Sequence, residues 1–236
     1  MPRPDSAILK LSEALARLRS RTLPAHHTDA MAAFGRGVAR VLPQPVRALA
    51  PLLLSHRLAP RILKRFGDAS IARALGAMYA NTASPTVLRA GAKTNVIPGE
   101  ATVEIDGRTL PGQTSADLMR ELRDVLGAEV ELELLRDAPP MQTEPMVTPL
   151  YDTITGVLGE RFPEAVVVPY LLPGFTDAKS FTRNGSTWVG FAPVRLPKGM
   201  RFADMFHGHN ERIPVDGLRW GTEVLWDVVT RFVGVA

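Results

Sequence analysis

Hydrophobic residues recur at helical spacing in the N-terminal third of the chain. Ile8, Leu11, Leu15 and Leu18 form one apolar stripe, which predicts a helix capped by Asp5 or Ser6 and running to about Arg19. Prolines and glycines then separate three more apolar-periodic stretches, which predict helices at about 30–41, 46–58 and 69–78. We interpret these three helices as an insert with a small core of its own.

From Pro85 the hydrophobic period changes from helical spacing to alternation. The pattern predicts strands at 85–89, 101–110 and 129–135, a short extended piece at 94–98, and a helix at 115–126 closed by Gly127. An opening helix followed by strand, strand, helix and strand is most of a split β-α-β unit with an antiparallel sheet. One strand, before the first helix, is missing from this pattern.

The last hundred residues predict a different layer arrangement. After a proline-rich polar stretch at 137–149, helices are predicted at 150–161 and about 215–233, with a short helix opening after Pro173-Gly174. Continuous apolar runs at 165–172 and 187–191 predict strands that are buried on both faces. Because two such strands need neighbours and covering helices, this region is predicted to be the tail of a larger α/β domain.

Composition narrows the classes of function. The chain has 236 residues and no cysteine, which excludes disulfides and cysteine-based metal or nucleophile chemistry. Residues 1–66 hold 12 Lys/Arg against 3 Asp/Glu, whereas the remainder holds 16 against 21. A solvated helical face is the favoured interpretation, with a basic module that binds anionic lipid or nucleic acid as the alternative. Prolines and charges interrupt the most apolar stretch, 41–63, so no membrane span is predicted.

Candidate metal chemistry lies near the C-terminus. His207-Gly208-His209 is followed by Glu211, and neutral imidazole with carboxylate is the usual ligand chemistry for zinc. Pro214 and Gly217 place the pair on a loop that leads into the terminal helix. Taken alone, this pattern is also compatible with two histidine rings that are solvated or hydrogen-bonded and bind no metal.

Three stretches in this order resemble a known family. They are Gly91-Ala92-Lys93-Thr94-Asn95-Val96-Ile97-Pro98 with Asp106-Gly107-Arg108, then Pro173-Gly174-Phe175-Thr176-Asp177-Ala178, then His207-Gly208-His209-Asn210-Glu211-Arg212. Together they resemble the two-zinc metallohydrolases that include aminoacylases, acetylornithine deacetylase, succinyl-diaminopimelate desuccinylase and the carboxypeptidase S group. The helical insert and Ser84-Pro85-Thr86 are most similar to the carboxypeptidase S-like branch.

The resemblance implies an α/β protein with an α+β lid. Residues 1–138 would be a ferredoxin-like lid and dimerisation domain with a helical insert at about 24–80, and residues 139–236 the C-terminal part of a zinc-peptidase catalytic domain. The implied reaction is hydrolysis of the amide bond of N-acyl amino acids or short peptides by zinc-activated water. The implied partners are that substrate and a second copy bound through the lid, and the expected compartment is the cytoplasm.

The resemblance also assigns residues. His207 matches a zinc ligand, with His209 as a neighbour and Glu211 positioning the loop. Asn95, Arg108, Gly174 and Thr176 match positions that approach the substrate. An ion pair of Arg108 with Asp106 or Glu104 is an equal alternative to its substrate role. A helix cap is an equal alternative for Thr176.

Most of the family's metal ligands and its glutamate base precede the lid, and they are missing here. Phe175 also stands where glycine is frequent in the family, and Lys179 where arginine is common. We therefore expect an N-terminally truncated chain that supplies one metal ligand, no catalytic base and little activity alone. The open alternatives are a non-catalytic dimerisation or binding module and the basic module named above.

Overall fold

The computed structural model describes residues 5–41, 43–44, 47–48, 52, 58, 76–138, 147–172, 176–181, 184–200 and 209–234. The chain forms two compact units. The first comprises Met1–Ala32, Pro51–Gln142 and Leu171–Pro173, and the second Ala33–Ala50, Thr143–Tyr170 and Gly174–Ala236. The domain boundary proposed between 138 and 139 remains a prediction.

The first two predicted helices are confirmed. Helix α1 is Ala7–Ser20, and the Ser6 hydroxyl caps it by accepting a hydrogen bond from the Leu9 amide at 3.3 Å. Helix α2, Asp29–Val41, begins in this unit and continues into the second. Of the other two insert helices predicted, 46–58 and 69–78, only short described pieces can be compared, and residues 76–79 are helical.

The sheet of the first unit is an antiparallel hairpin. Strand β1, Thr82–Ala90, pairs with β2, Ala101–Arg108, and the register shifts between Pro85 and Val87. Proline lacks the amide hydrogen that a ladder requires, which accounts for a bulge at this place. Both strands were predicted. The extended piece predicted at 94–98 was wrong, because Val96 donates to the Lys93 carbonyl in a turn.

Helix α3, Ser115–Leu126, closes the core of the first unit. Leu118, Leu122 and Leu126 cluster with Ala14 of α1, and Ala83 and Ile105 pack on them from the hairpin. At its C-terminus, the Arg17 guanidinium donates from Nε to the Leu126 carbonyl at 3.1 Å. A cation there satisfies an orphan carbonyl and complements the helix dipole.

The third strand predicted for this unit, 129–135, is wrong in the described structure. Val130 and Leu132 pack against the core as the alternation predicted, but the segment joins no ladder, and Leu134 is 49% exposed. Within the described residues the sheet contains two strands only. A third strand would need a neighbour beside this segment to accept its hydrogen bonds.

The second unit is built around two long helices, α4, Pro149–Arg161, and α6, Val215–Val233, with the short α5, Ala178–Phe181. Ile154 and Val157 of α4 pack on Val224 and Val228 of α6, with Leu150, Leu158, Val189, Phe191 and Trp220 around them. Ion pairs join the same helices, since Arg161 contacts both Asp227 and Glu223, and Arg231 forms a fork on Glu160 at 2.7 and 2.8 Å. The two predicted helices are confirmed.

The two strands predicted for this unit, 165–172 and 187–191, are wrong in the described structure, which has them outside any ladder. Their side chains still pack, because Val189 and Phe191 reach the core and Tyr170 contacts Phe34 edge-on at 6.0 Å. Backbone pairing needs strand neighbours that the described residues do not offer. Among these residues no helix is long and apolar enough to cross a membrane.

Candidate functional site

Arg108 is the last residue of β2 and lies opposite Thr82. Its Nε and Nη2 lie 3.1 and 3.0 Å from one carboxylate oxygen of Asp106. The alternative of an ion pair with Asp106 is therefore what the structure contains, with both side chains about 40% exposed. An exposed pair of this kind contributes little to stability.

Gly107 allows α3 to pack closely beside Arg108. A Cβ at this position would lie 2.6 Å from Cδ2 of the buried Leu118. Any larger residue would therefore require the Leu118 side chain or its helix to shift. The Asp106-Gly107-Arg108 run thus combines an anion-binding group with a close backbone approach.

Asn95 lies at the opposite end of the hairpin. It is exposed within the loop that joins Ala90 to Ala101, inside the turn that the hydrogen bond from Val96 to Lys93 closes. Seven steps of extended strand, or roughly 23 Å, separate Ala101 from Arg108. Within one copy of the chain, the hairpin therefore holds the two predicted substrate-binding residues at opposite ends.

A buried polar network fixes the end of the hairpin that carries Arg108. The Asn81 side-chain oxygen accepts from the Leu110 amide at 2.9 Å, and its nitrogen donates to Glu121 at 3.1 Å. The other Glu121 oxygen lies 2.5 Å from His26 Nε2, and the His26 amide donates to the Tyr79 carbonyl at 2.7 Å. Asn81 precedes β1 and Leu110 follows β2, so the network closes the hairpin on both sides.

The sequence prediction missed these network residues. Asn81 is 3% and Glu121 8% exposed. The available signal was Glu121, a charged residue between Leu118 and Leu122 on the apolar face of its helix, because buried carboxylates require partners. Burial of the neighbouring Tyr79 raises the pKa of its phenol to about 12.

In the second unit Thr176 has a local role. Its hydroxyl accepts a hydrogen bond from the Ala178 amide at 3.2 Å, at the start of α5. The helix-cap alternative is thus present, and a role toward substrate stays a prediction. Gly174 and the proposed zinc ligand His207 lie outside the described residues.

The loop after His207 is exposed where the structure describes it. His209 and Glu211 face solvent, and Asn210 between them has a φ of 61°, in the left-handed region. Across the described residues, no group of three or more His, Asp or Glu side chains could hold a metal ion. These described residues therefore offer no donor set that fits zinc.

Comparisons with known proteins agree with the resemblance. The profile of a family described as "Peptidase dimerisation domain" matches residues 2–132. An N-fatty-acyl-amino acid synthase/hydrolase of Xenopus tropicalis is 27% identical over 229 residues, covering 92% of this chain and 42% of the relative. A probable carboxypeptidase S-like protein of Dictyostelium discoideum is 25% identical over 218 residues, covering 91% and 40%.

The mouse N-fatty-acyl-amino acid synthase/hydrolase is 25% identical over 241 residues, covering 97% of this chain and 45% of the relative. The chain thus spans less than half the length of these curated relatives. No solved structure gives a significant match.

Proposed function

The chain belongs to the peptidase dimerisation domain family, and from that premise we propose that it is part of a zinc-dependent hydrolase of amide or peptide bonds. The observation that carries the proposal is the match of residues 2–132 to this family, together with relatives that align over more than nine-tenths of the chain. The substrates proposed are N-acyl amino acids or short peptides. The names of the relatives, an N-fatty-acyl-amino acid synthase/hydrolase and a probable carboxypeptidase S-like protein, support this class.

The free carboxylate of such a substrate is the group that Arg108 and Asn95 would bind. Arginine suits a carboxylate because its fork donates two parallel hydrogen bonds. The two residues lie at opposite ends of one hairpin, so a single copy does not bring both to one small anion. We therefore propose a homodimer through the first unit, in which Arg108 of one copy and Asn95 of the other serve one substrate.

His207 is the residue proposed to hold zinc, and Gly174 and Thr176 the residues proposed to approach the substrate from the second unit. When bound, zinc would polarise the amide carbonyl and activate water. The described residues contain no metal-binding group and the chain's own sequence offers no matching glutamate base. The chain by itself is therefore proposed to turn over little or no substrate.

The test is an assay of the purified chain with zinc, a long-chain N-acyl amino acid and a dipeptide, with released amine as the readout. The expected result is release at the rate of the zinc-containing buffer. Turnover that is removed by a chelator and restored by zinc would contradict inactivity alone while supporting the hydrolase class. Zinc-independent turnover would contradict both.

A non-catalytic dimerisation module is a second candidate, favoured by the description of the matched family. It predicts a stable dimer whose size and melting temperature do not respond to zinc. Light scattering coupled to gel filtration, with and without zinc, separates the candidates when combined with the assay above. A monomer at all concentrations would count against dimerisation in either form.

A further inference from the structure

At three places in the sequence, an asparagine or aspartate directly precedes a glycine. Such pairs are chemically reactive, because glycine has no Cβ to shield its own amide nitrogen and its backbone rotates easily. That nitrogen can attack the carbonyl carbon of the preceding side chain and close a succinimide ring. The three pairs are Asp106-Gly107, Asn184-Gly185 and Asp216-Gly217.

The hairpin restrains the first pair. Gly107 lies in β2 opposite Ala83, so its backbone is part of the ladder. One carboxylate oxygen of Asp106 accepts hydrogen bonds from Arg108 at 3.0 and 3.1 Å, and an ionised carboxylate is a poor electrophile. Ring closure rotates the peptide that joins the two residues, so it would break the pairing of the strands and this ion pair.

Close packing restrains the last pair. Asp216 and Gly217 lie in the first turn of α6, and Gly217 is buried. A Cβ built on Gly217 would lie 2.2 Å from the Arg195 carbonyl oxygen, so this backbone already touches its neighbour. The peptide between the two residues cannot rotate without displacing the start of α6 from residue 195.

The pair Asn184-Gly185 has neither restraint in the part of the chain that the structure describes. Both residues are exposed, as are the two residues that follow. Gly185 has a φ of 77°, and no described atom lies within 4 Å of a Cβ built on it. Exposed turns are where the backbone moves at the lowest cost, and a neutral amide is a better electrophile than a carboxylate. The fold therefore leaves this pair able to react.

A ring contact lies on either side of this turn in the sequence. Phe181, the last residue of α5, and Trp188 have ring centroids 5.6 Å apart, with their planes inclined by 36°. Val189, the next residue, packs on the core of the second unit. A change in backbone length between 181 and 188 would therefore act on the Phe181–Trp188 contact.

We propose that Asn184 is a site of spontaneous modification by water, which converts it to isoaspartate and aspartate and disturbs the Phe181–Trp188 contact. The Gly185 nitrogen bonds to Asn184 Cγ, the Cγ–Nδ2 bond breaks, and ammonia leaves with the proton of the Gly185 amide. Water then opens the succinimide. Attack at Cγ gives aspartate, whereas attack at the main-chain carbonyl carbon gives isoaspartate, whose backbone runs through Cβ and Cγ.

Both products carry a new negative charge, and isoaspartate lengthens the backbone by one carbon atom. The reaction needs no partner other than water, so it does not depend on the proposed function. Its selectivity comes from the fold, because the local sequence makes all three pairs reactive in an unfolded chain.

The test compares each pair with itself in the folded and the unfolded chain. The full chain is incubated at neutral pH with and without guanidinium chloride, and isoaspartate at each pair is measured by peptide mass spectrometry and by an isoaspartate-specific methyltransferase. Folding should slow the reaction at least tenfold at Asp106 and Asp216 and less than threefold at Asn184. Protection of Asn184 as strong as that of the two aspartates would overturn the proposal.

Two variants test the consequence for the ring contact. Incubation should shift the tryptophan emission of the wild type, whereas Asn184→Gln, whose longer side chain cyclises far more slowly, should keep its original spectrum. Trp188→Phe should be modified at Asn184 as fast as the wild type but without the shift. Unfolding midpoints verify that both variants fold. Modification without an emission shift, or a shift that persists in Trp188→Phe, would overturn the link to this contact.

Discussion

The close packing of α6 on the backbone of residues 193–195 gives the sharpest prediction about stability. A Cβ added at Gly221 would lie 1.8 Å from the Pro193 carbonyl oxygen and 2.9 Å from its carbon. Gly217, one turn earlier, would meet the Arg195 carbonyl oxygen at 2.2 Å. These contacts are with backbone, so no side-chain rotation relieves them. Alanine at 221 must therefore move the helix away from the segment it covers.

The magnitude follows from two opposing effects. Alanine is favoured over glycine within a helix by about 1 kcal/mol, which would stabilise the variant if space allowed. Forcing a methyl group into a packed site costs about 1–3 kcal/mol, and more where the backbone must shift. We expect Gly221→Ala to lower the free energy of unfolding of the second unit by about 1–2 kcal/mol.

Gly156 provides the matched control. It lies within α4, and nothing comes within 4 Å of a Cβ built there. Gly156→Ala should therefore stabilise the same unit by about 1 kcal/mol through helix propensity alone. The two variants make the same chemical change in paired helices, and the structure predicts opposite signs.

Tryptophan fluorescence during urea unfolding is the assay. All three tryptophans, Trp188, Trp220 and Trp226, lie in the second unit, so the signal reports that unit alone. The midpoint should fall for Gly221→Ala and rise for Gly156→Ala. Equal midpoints for the two variants would refute the packing of α6 on 193–195.

Three further predictions concern the first unit. Arg17→Ala should destabilise the first unit by about 1–2 kcal/mol, because the Leu126 carbonyl loses its charged donor. The control Arg19→Ala changes an exposed residue and should leave stability unchanged. Amide hydrogen exchange in α3 measures both effects. The Thr114 hydroxyl is the main cause that lowers the pKa of Asp117 to about 2, so the contribution of this carboxylate to stability is present above pH 4 and lost as pH falls toward 2. Thr114→Val should raise that pKa toward its ordinary value, visible in an NMR titration, and an unchanged titration would contradict the assignment. Burial raises the pKa of Tyr79 in the folded chain to about 12, against an ordinary value of 10. The contribution of the neutral phenol to the free energy of unfolding is therefore present below pH 10 and lost as pH rises to 12. Circular dichroism should show that Tyr79→Phe loses less stability than the wild type across that interval.

Helix positions were readable from the sequence because their signals are local. Ser6, Thr114 and Thr148 cap α1, α3 and α4, and Gly127 and Gly234 follow α3 and α6 with positive φ. Spacing of apolar residues also predicted the packed side of α3, where Leu118, Leu122, Val125 and Leu126 are buried. Capping and helical spacing depend on residues within one or two turns of each other, so a short stretch of sequence contains the whole signal.

Strand predictions failed where pairing depends on residues elsewhere. The pattern of 129–135 correctly turned Val130 and Leu132 inward, yet it could not supply the neighbour that a ladder requires. The same holds for 165–172 and 187–191. Alternation or continuous hydrophobicity reports burial of a segment, while hydrogen bonding is decided by what lies beside it.

In the candidate site, too, local motifs were predictable from the sequence and contacts between distant residues were not. Motif resemblance selected Arg108 and Asn95, but only the register of the hairpin showed that they lie at opposite ends. The network of His26, Asn81 and Glu121 joins residues 95 and 40 positions apart, which no local pattern reveals. Roles of Asn95, Arg108, Gly174, Thr176 and His207 toward substrate or zinc remain predictions.

The packing of α1 against α3 affects how the chain emerges from the ribosome. Leu11 and Ala14 are buried, and Ala14 clusters with leucines of α3 that follow it by about 100 residues. At about 5–20 residues per second, α1 waits roughly 5–20 s after its own synthesis before that surface exists. During this interval its apolar stripe is open to solvent and to other nascent chains. A chaperone bound to this helix during that interval would shield the stripe until α3 has been made.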